Sequence, residues 1–223
     1  MDYISKVKRK PRKELIDKIK KFQTATIHEA YGKRGALPSI IKPLDDNFSL
    51  AGPAVTVELR PGDNLMLHRA IYEANKEDVL IVDAKGFSEA GVWGEIMTNA
   101  AIERGIAGLV IYGSVRDKKE IIKLGFPVFS SGVCIKGTTK VTPGFINKPI
   151  CISNVVIEPG DVIRGNSDGV VVVRYGDLEE VILKAEKIIE KEDKVLKKIK
   201  NGLSTLEIYN FKDLSKYDFK KNK

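Results

Sequence analysis

The most regular feature of the chain is an alternation. Short apolar runs give way to longer segments whose apolar residues recur every three or four positions. "AGPAVTVEL", "DVLIVDA", "AGLVIYG" and "PVFSSG" are rich in β-formers and read as strands. Between them, "DNLMLHRAIYEAN", "GVWGEIMTNAAIERG" and "DKKEIIKLG" carry helical spacing. Upstream, "RKELIDKIKKF" reads as an amphipathic helix. "TATIHEAYGKRG" reads as a second, shorter helix, with Thr24 or Thr26 as N-cap and Gly32 as its stop. Strands alternating with helices predict an α/β core of parallel strands.

After Gly132 the pattern changes. "KPICISNVVIEPGDVIRGNSDGVVVVRYG" contains apolar runs separated by Pro-Gly and Asp-Gly, with no room for helices. It reads as a β-hairpin section, with the turns at Gly160-Asp161 and Asp168-Gly169 as hairpin turns. "DLEEVILKAEKIIEKEDKVLKKIKNG" then predicts one long, highly charged helix stopped by Gly202. A helix so exposed at the end of a chain suits packing across a neighbouring subunit. The organisation expected is a basic N-terminal helix over residues 1–22, an α/β core over 23–176, and a C-terminal helix and tail over 177–223.

Composition narrows the classes. With 223 residues, 43% of them hydrophobic, the chain can bury a substantial core. No apolar run approaches the ~20 residues that span a bilayer. The basic start lacks the apolar region of a secretory signal. Cys134 and Cys151 are far apart with no CxxC partner, so reduced thiols in a cytoplasmic protein are expected. The net charge of +8 is concentrated at the ends, with nine Lys/Arg against three acids over residues 1–22 and twelve against seven over 184–223. The middle is net acidic and has no basic patch interleaved with aromatics, so nucleic acid is not the expected partner. Ends rich in Lys, Glu and Ile match the composition of heat-adapted proteins.

Candidate chemistry gathers around "IYGSVRD". The strand ends in a glycine-containing stretch followed by Arg116 and Asp117, at the carboxyl end where ligands collect in open α/β sheets. Arg116 offers a planar fork suited to a carboxylate, and Asp117 a hard oxygen donor for Mg²⁺. An ordinary solvated turn or N-cap is the other reading of the pair. In the preceding helix, Trp93, Ile96, Met97, Ala100 and Ala101 are expected to form one buried face, with Glu95 off it in the first turn. The amides of Glu95, Ile96 and Met97 can bind an anion there, while Glu95 itself can complement the helix dipole. Asp63 and Asn64 read as an N-cap pair, Asp83 as a strand-end cap, and His28 and His68 as structural.

"GVWGEIMTNAAIERGIAGLVIYGSVRD" resembles the central signature of the RraA-like family, which includes class II 4-hydroxy-4-methyl-2-oxoglutarate/4-carboxy-4-hydroxy-2-oxoadipate aldolases. Glu95, twenty intervening residues and Arg116-Asp117 match the spacing of the aldolase members, which usually carry Asp at the first position. The resemblance extends through "TATIHEA", "LAGPAVTVEL", "GDNLMLHRAI", "EPGDVIRGNSDGVVVV" and "KNGLSTLEIYNF". It implies a β/β/α sandwich of the swivelling phosphohistidine-domain type, assembled as a homotrimer or dimer of trimers with sites between subunits. It implies a divalent cation, Mg²⁺ or another such as Mn²⁺, held by Asp117 and water with Glu95 nearby. A pyruvate-like 2-oxo acid would be met by Arg116 and the helix start Gly94, Glu95, Ile96 and Met97. Asn64 is a further candidate to touch ligand. Glu192 of a neighbouring subunit would join the site, with Glu190 as the alternative. The implied reactions are aldol cleavage of a 4-hydroxy-2-oxo acid and decarboxylation of oxaloacetate, both passing through a pyruvate enolate. The family also contains RraA, a protein-binding regulator of RNA-degrading machinery, which lacks the acidic residue twenty positions before Arg-Asp. A second departure from the family is Asn166, where members often carry Asp.

Overall fold

The computed structural model describes residues 2–211. One compact unit runs to Ala185, and a second begins at Glu186. The first opens with an extended strap in which Ile4 bridges Ile146, followed by α1 (Lys13–Ile19) and α2 (Thr24–Ala30). The helix expected over residues 1–22 is thus confined to its second half, where Ile16 and Ile19 provide the buried positions. Neither Thr24 nor Thr26 caps α2. Gln23 holds that position, and the Thr24 hydroxyl instead donates to Asn166 Oδ1 at 2.6 Å.

The chain continues through β1 (Lys42–Pro43), β2 (Leu50–Glu58), α3 (Leu65–Glu73), β3 (Val79–Asp83), α4 (Glu95–Glu103), β4 (Gly108–Val115), α5 (Lys118–Leu124) and β5 (Val128–Val133). As the alternation predicts, β2, β3, β4 and β5 are parallel neighbours, with Ala54 opposite Val79, Val79 opposite Gly108 and Leu109 opposite Val128. All five residues of β3 are buried, and its first four form a continuous apolar run rather than an alternating one. Each such Val, Leu or Ile contributes about 1.5–3 kcal/mol by leaving water.

Short strands β6 (Phe145–Ile146), β7 (Ile150–Ile152) and β8 (Val155–Ile157) precede the hairpin β9 (Val162–Asn166) and β10 (Gly169–Val173). The hairpin expected at Asp168-Gly169 is present, its turn residues being Ser167 and Asp168, with Asn166 opposite Gly169. Gly160-Asp161 is not. β7 and β8 pair with each other, whereas β9 leaves to pair with β2, so Pro159-Gly160 carries the chain from one sheet to another. A side chain at Gly160 (φ +89°) would meet the Arg9 carbonyl of the strap at 2.1 Å, which fixes glycine there.

The main sheet runs β1-β5-β4-β3-β2-β9-β10 and nearly closes. Residues 35–37 hydrogen-bond β10 through Val172 N to Gly35 O and Leu37 N to Val170 O, and the chain then reaches β5 through β1. Gly165 of β9 lies against the Phe129 ring of β5, where a Cβ would come within 2.9 Å. The expected α/β class holds, with near-closure as its particular form.

After a 3-10 turn (Tyr175–Asp177), α6 (Leu178–Lys200) and α7 (Thr205–Ile208) complete the described chain. Leu178, Val181, Ile182 and Ala185 bury the first turns of α6 in the first unit. In the second unit the apolar spacing continues through Ile188, Ile189, Val195, Leu196 and Ile199, of which Leu196 is 54% exposed. Residues 212–223 of the predicted C-terminal segment lie outside the described residues.

Candidate active site

β4 delivers Val115, Arg116 and Asp117 to the carboxyl end of the sheet, and α5 begins directly afterwards at Lys118. Asp117 sits in the left-handed region (φ +55°), which few non-glycine residues tolerate and Asp and Asn tolerate best. Beside it runs an extended segment, Gly91 to Gly94, zipped to β4 by Val92 N to Ser114 O (3.0 Å) and Arg116 N to Trp93 O (2.8 Å). Two glycines allow this approach. A Cβ at Gly91 would lie 2.4 Å from the Cys134 carbonyl, and one at Gly94 would lie 2.4 Å from Asp117 Oδ2.

α4 starts where that segment ends. Trp93 is fully buried, stacks on Phe126 at 6.1 Å between centroids, and donates to Thr98 Oγ1 at 2.8 Å. Thr98 in turn donates to the Gly94 carbonyl at 3.0 Å, locking the first turn. Of the stripe expected from spacing, Trp93, Met97 and Ala101 are buried and Ala100 is partly so, with Thr98 joining them. Ile96 departs from it, 77% exposed at the mouth of the site. Glu95 is exposed beside it.

These elements converge. Glu95 N donates to Asp117 Oδ2 at 3.0 Å, and Arg116 Nε lies 3.5 Å from the same oxygen. The Arg116 and Asp117 side chains are 44% and 38% exposed, so their pairing contributes little stability and both remain open to a ligand. Among the described residues the amides of Ile96 and Met97 meet no protein acceptor. They are first-turn donors of the kind that bind anions.

A cavity of about 150 Å³ opens at this point, lined by Arg116, the segment Gly91–Gly94, Ile96 and Met97 on one side and by Asn64, His68, Thr138 and Lys140 on the other. Asn64 is 6% exposed and donates to the Val92 carbonyl at 3.0 Å, while its Oδ1 is buried without a partner. A buried amide oxygen left unpaired costs about 1–3 kcal/mol, and one beside a cavity is relieved by a ligand that donates to it. His68, read from sequence as structural, lines the cavity. Burial pushes its pKa down and the charge of Lys140 pushes it the same way, both favouring the neutral ring. His28 lies elsewhere, its Nδ1 bonded to the Arg34 carbonyl at 3.0 Å. Asp83 is a turn residue that accepts from Lys85 N at 2.8 Å. Asn166 ties the start of α2 to the β9–β10 turn through Thr24 and Gln23, so this departure from the family pattern is explained by packing.

Sequence reasoning missed His68, Thr138 and Lys140, because nothing local marks a loop that tertiary structure brings to the site. Asp63 does the fastening. Rather than simply capping α3, it accepts from Leu65 N through Oδ1, and from Thr139 Oγ1, Val141 N and Thr142 N through Oδ2. Burial alone would raise its pKa, but these four bonds outweigh that and hold it at about 2, against the usual 3.8. A depressed carboxylate contributes stability above pH 4 that is lost as pH falls from about 4 towards 2. Asp63→Asn is therefore expected to lower unfolding free energy at pH 7 by roughly 2 kcal/mol. Denaturant titrations should show the gap to wild type narrowing below pH 4, and a gap unchanged between pH 7 and pH 3 would refute the account.

Among the described residues no cluster of three or more His, Cys, Asp or Glu is placed to hold a metal. A closed zinc centre does not fit this donor set. Mg²⁺ does, since it keeps several waters and uses one or two carboxylates together with the substrate. Asp117 is such a carboxylate, with Oδ1 free of protein donors among the described residues.

Fold and cavity together define an α/β protein with a small cleft, lined by Arg116 and Lys140, at the carboxyl edge of a parallel sheet. The model of the RraA-like family (Aldolase/RraA) matches residues 24–172, and the chain belongs to that family. A relative from Halalkalibacterium halodurans, named "Putative 4-hydroxy-4-methyl-2-oxoglutarate aldolase", is 40% identical over 174 residues, covering 78% of this chain and 83% of the relative. An uncharacterised Pseudomonas syringae protein of known structure superimposes with a TM-score of 0.79 at 28% identity, covering 91% of this chain and all of that one. Streptomyces coelicolor RraAS2, described as an unusual member of the RNase ES inhibitor RraA family, superimposes with a TM-score of 0.76 at 26% identity, covering 85% of this chain and all of that one. No helix among the described residues is long and apolar enough to cross a membrane.

Proposed function

We propose that this protein is a divalent-metal-dependent lyase that cleaves a 4-hydroxy-2-oxo acid of the 4-hydroxy-4-methyl-2-oxoglutarate type, or decarboxylates oxaloacetate, releasing pyruvate. The observation that carries this is the convergence, at the end of β4, of Asp117, Arg116 and the unbonded amides of Ile96 and Met97. Arg116 meets the carboxylate beside the ketone in bidentate fashion, and the two amides share that charge. Asp117 would hold the cation, Mg²⁺ or Mn²⁺, with Glu95 positioned to orient its waters. When bound, the cation acts as a Lewis acid that stabilises the negative charge developing on the ketone oxygen. Glu95 on one side and Ile96 and Met97 on the other leave the reacting carbon between a polar and an apolar face. As the C–C bond breaks, the alcohol gives up its proton and the enolate carbon takes one.

The C-terminal helix supports an assembled enzyme. Glu192 falls within the apolar spacing of the second unit, three residues before Val195 and four after Ile188, whereas Glu190 falls outside it. A carboxylate embedded in an otherwise apolar stripe suits delivery to a neighbouring subunit, so Glu192 is favoured over Glu190 in a homotrimer or dimer of trimers. The RNase-regulator reading of the family is opposed by Glu95, since a regulator needs no acid at that helix start.

Pyruvate release from 4-hydroxy-4-methyl-2-oxoglutarate and from oxaloacetate, measured with Mg²⁺ and with EDTA, tests the proposal. Turnover should require the metal and be restored by adding it back. Turnover no faster than the metal alone would discard the lyase and favour a protein-binding role.

A further inference from the structure

We infer that the groove between the loop after α2 and the β7–β8 hairpin is a second binding site, built for a nucleoside phosphate and separate from the cleft at the end of β4. The site stands whether or not the cleft is that of a lyase.

The groove has a volume of about 550 Å³, against about 150 Å³ for the cleft, and falls in the roughly 300–1,000 Å³ range of small-molecule sites. Lys33 and Arg34 line one side of it, and Asn154, Val155 and Val156 the other. Two more charged side chains face the groove, and both are engaged. Asp177 accepts from the Tyr31 hydroxyl at 2.8 Å, and Arg174 lies 3.0 Å from Glu158 and 3.6 Å from Asp161. Lys33 and Arg34 pair with no acid among the described residues. The uncompensated charge of the groove is therefore positive and sits on these two neighbours.

The loop that carries them is fixed. Lys33 N donates to the His28 carbonyl at 2.8 Å, and Val172 N to the Gly35 carbonyl at 2.8 Å. A Cβ at Gly35 (φ +76°) would lie 2.1 Å from the Val172 carbonyl, so the loop lies hard against β10. Lys33 is itself left-handed (φ +58°), where glycine would sit without the steric cost that lysine carries. Arg34 Nε donates to the Tyr31 carbonyl at 3.0 Å, and the guanidinium carbon lies 4.4 Å from the centroid of the Tyr31 ring. Its outer nitrogens meet no protein acceptor among the described residues. His28 Nδ1 donates to the Arg34 carbonyl at 3.0 Å, which leaves Nε2 open on the same groove.

These features select a ligand class. A preset guanidinium fork beside an ammonium suits the several oxygens of a phosphate. A guanidinium packed on an aromatic ring can stack a nucleobase on its other face. Val155 and Val156, the latter 46% exposed, give the organic body an apolar wall. Because Tyr31 is bonded to Asp177, the residue before α6, the ligand lies at the root of that helix.

Calorimetric titration of the full, metal-free chain with AMP, adenosine and inorganic phosphate tests the assignment. AMP should bind at least about tenfold more tightly than either fragment, since it alone engages both the cations and the stacking face. Lys33→Gly keeps the left-handed backbone and removes the ammonium, while Val156→Glu sets a carboxylate on an exposed stretch of the wall. Each should weaken AMP binding about tenfold or more, with a melting temperature within a few degrees of wild type. Asp117→Asn should bind AMP as wild type does, which places the ligand outside the cleft. The assignment would be overturned by no binding of AMP, by equal affinity for AMP and one of its fragments, or by an affinity untouched by both groove variants. Displacement of AMP by pyruvate added with Mg²⁺ would put the ligand in the cleft and overturn it as well.

Discussion

Asp117→Asn is expected to lower metal-dependent pyruvate release by roughly 10³-fold while leaving thermal stability almost unchanged. Asparagine is the informative replacement. Residue 117 lies at φ +55°, where Asn is tolerated about as well as Asp, whereas alanine would add a backbone cost unrelated to chemistry. An Asn oxygen can still accept the Glu95 amide, so the link between α4 and the end of β4 survives. What disappears is the negative charge that would hold a cation. The proposed Lewis-acid stabilisation of the enolate is worth several kcal/mol, and about 1.4 kcal/mol corresponds to tenfold in rate. The measurement is kcat and the Mg²⁺ concentration for half-maximal rate, with melting temperature as the control. Activity within tenfold of wild type at saturating Mg²⁺ would remove Asp117 from the metal site. A large fall in melting temperature would make it a structural residue.

The parts of this molecule that were legible in its sequence are those governed by local rules. The parallel core follows from continuous apolar runs alternating with helical spacing, and the hairpin at Asp168-Gly169 from turn chemistry. The Arg116-Asp117 pair could be placed at a strand end for the same reason, because "AGLVIYG" is unmistakably a buried strand. Four features were not legible. The near-closure of the sheet depends on the pairing of residues 35–37 with β10, a contact set by the whole barrel and not by residues 35–37 themselves. The exposure of Ile96 was missed, because a stripe counted from Trp93 starts at a residue that precedes the helix and is pinned to Thr98 and Phe126. The far wall of the cavity, with His68 and Lys140, depends on one carboxylate reaching across 76 to 79 residues of sequence to hold a loop. From sequence Asp63 reads as a cap, because a cap is the nearest role for an acid before a helix. The left-handed conformation of Asp117 has no sequence signal either, since aspartate is common at helix starts for ordinary reasons.

Two glycines three residues apart should separate folding from function. At Gly91 an added Cβ would lie 2.4 Å from the Cys134 carbonyl, a backbone atom held by the Cys134 N to Val115 O bond. That backbone cannot move without disturbing the end of β4, so Gly91→Ala is expected to destabilise the protein by about 1–3 kcal/mol, the usual cost of overpacking. At Gly94 the backbone is extended and accepts any residue, and the clash is with a side chain, 2.4 Å from Asp117 Oδ2 and 3.2 Å from Arg116 Nε. A carboxylate is free to rotate, so the fold can accommodate Gly94→Ala at little cost. The rotation breaks the bond from the Glu95 amide and turns both Asp117 and Arg116 away from the unbonded amides of Ile96 and Met97. Displacing a reacting constellation by about 1 Å costs on the order of 10²-fold in rate. Gly94→Ala should therefore melt within a few degrees of wild type yet lose about two orders of magnitude in kcat/KM, with a raised requirement for Mg²⁺. Gly91→Ala should lower the melting temperature and the activity together, because its Cβ would also come within 2.7 Å of Arg116 Cβ. If Gly94→Ala instead unfolds the protein, or leaves kcat/KM intact, the close packing of Gly94 on Asp117 serves the fold alone and the site's geometry has to be sought elsewhere.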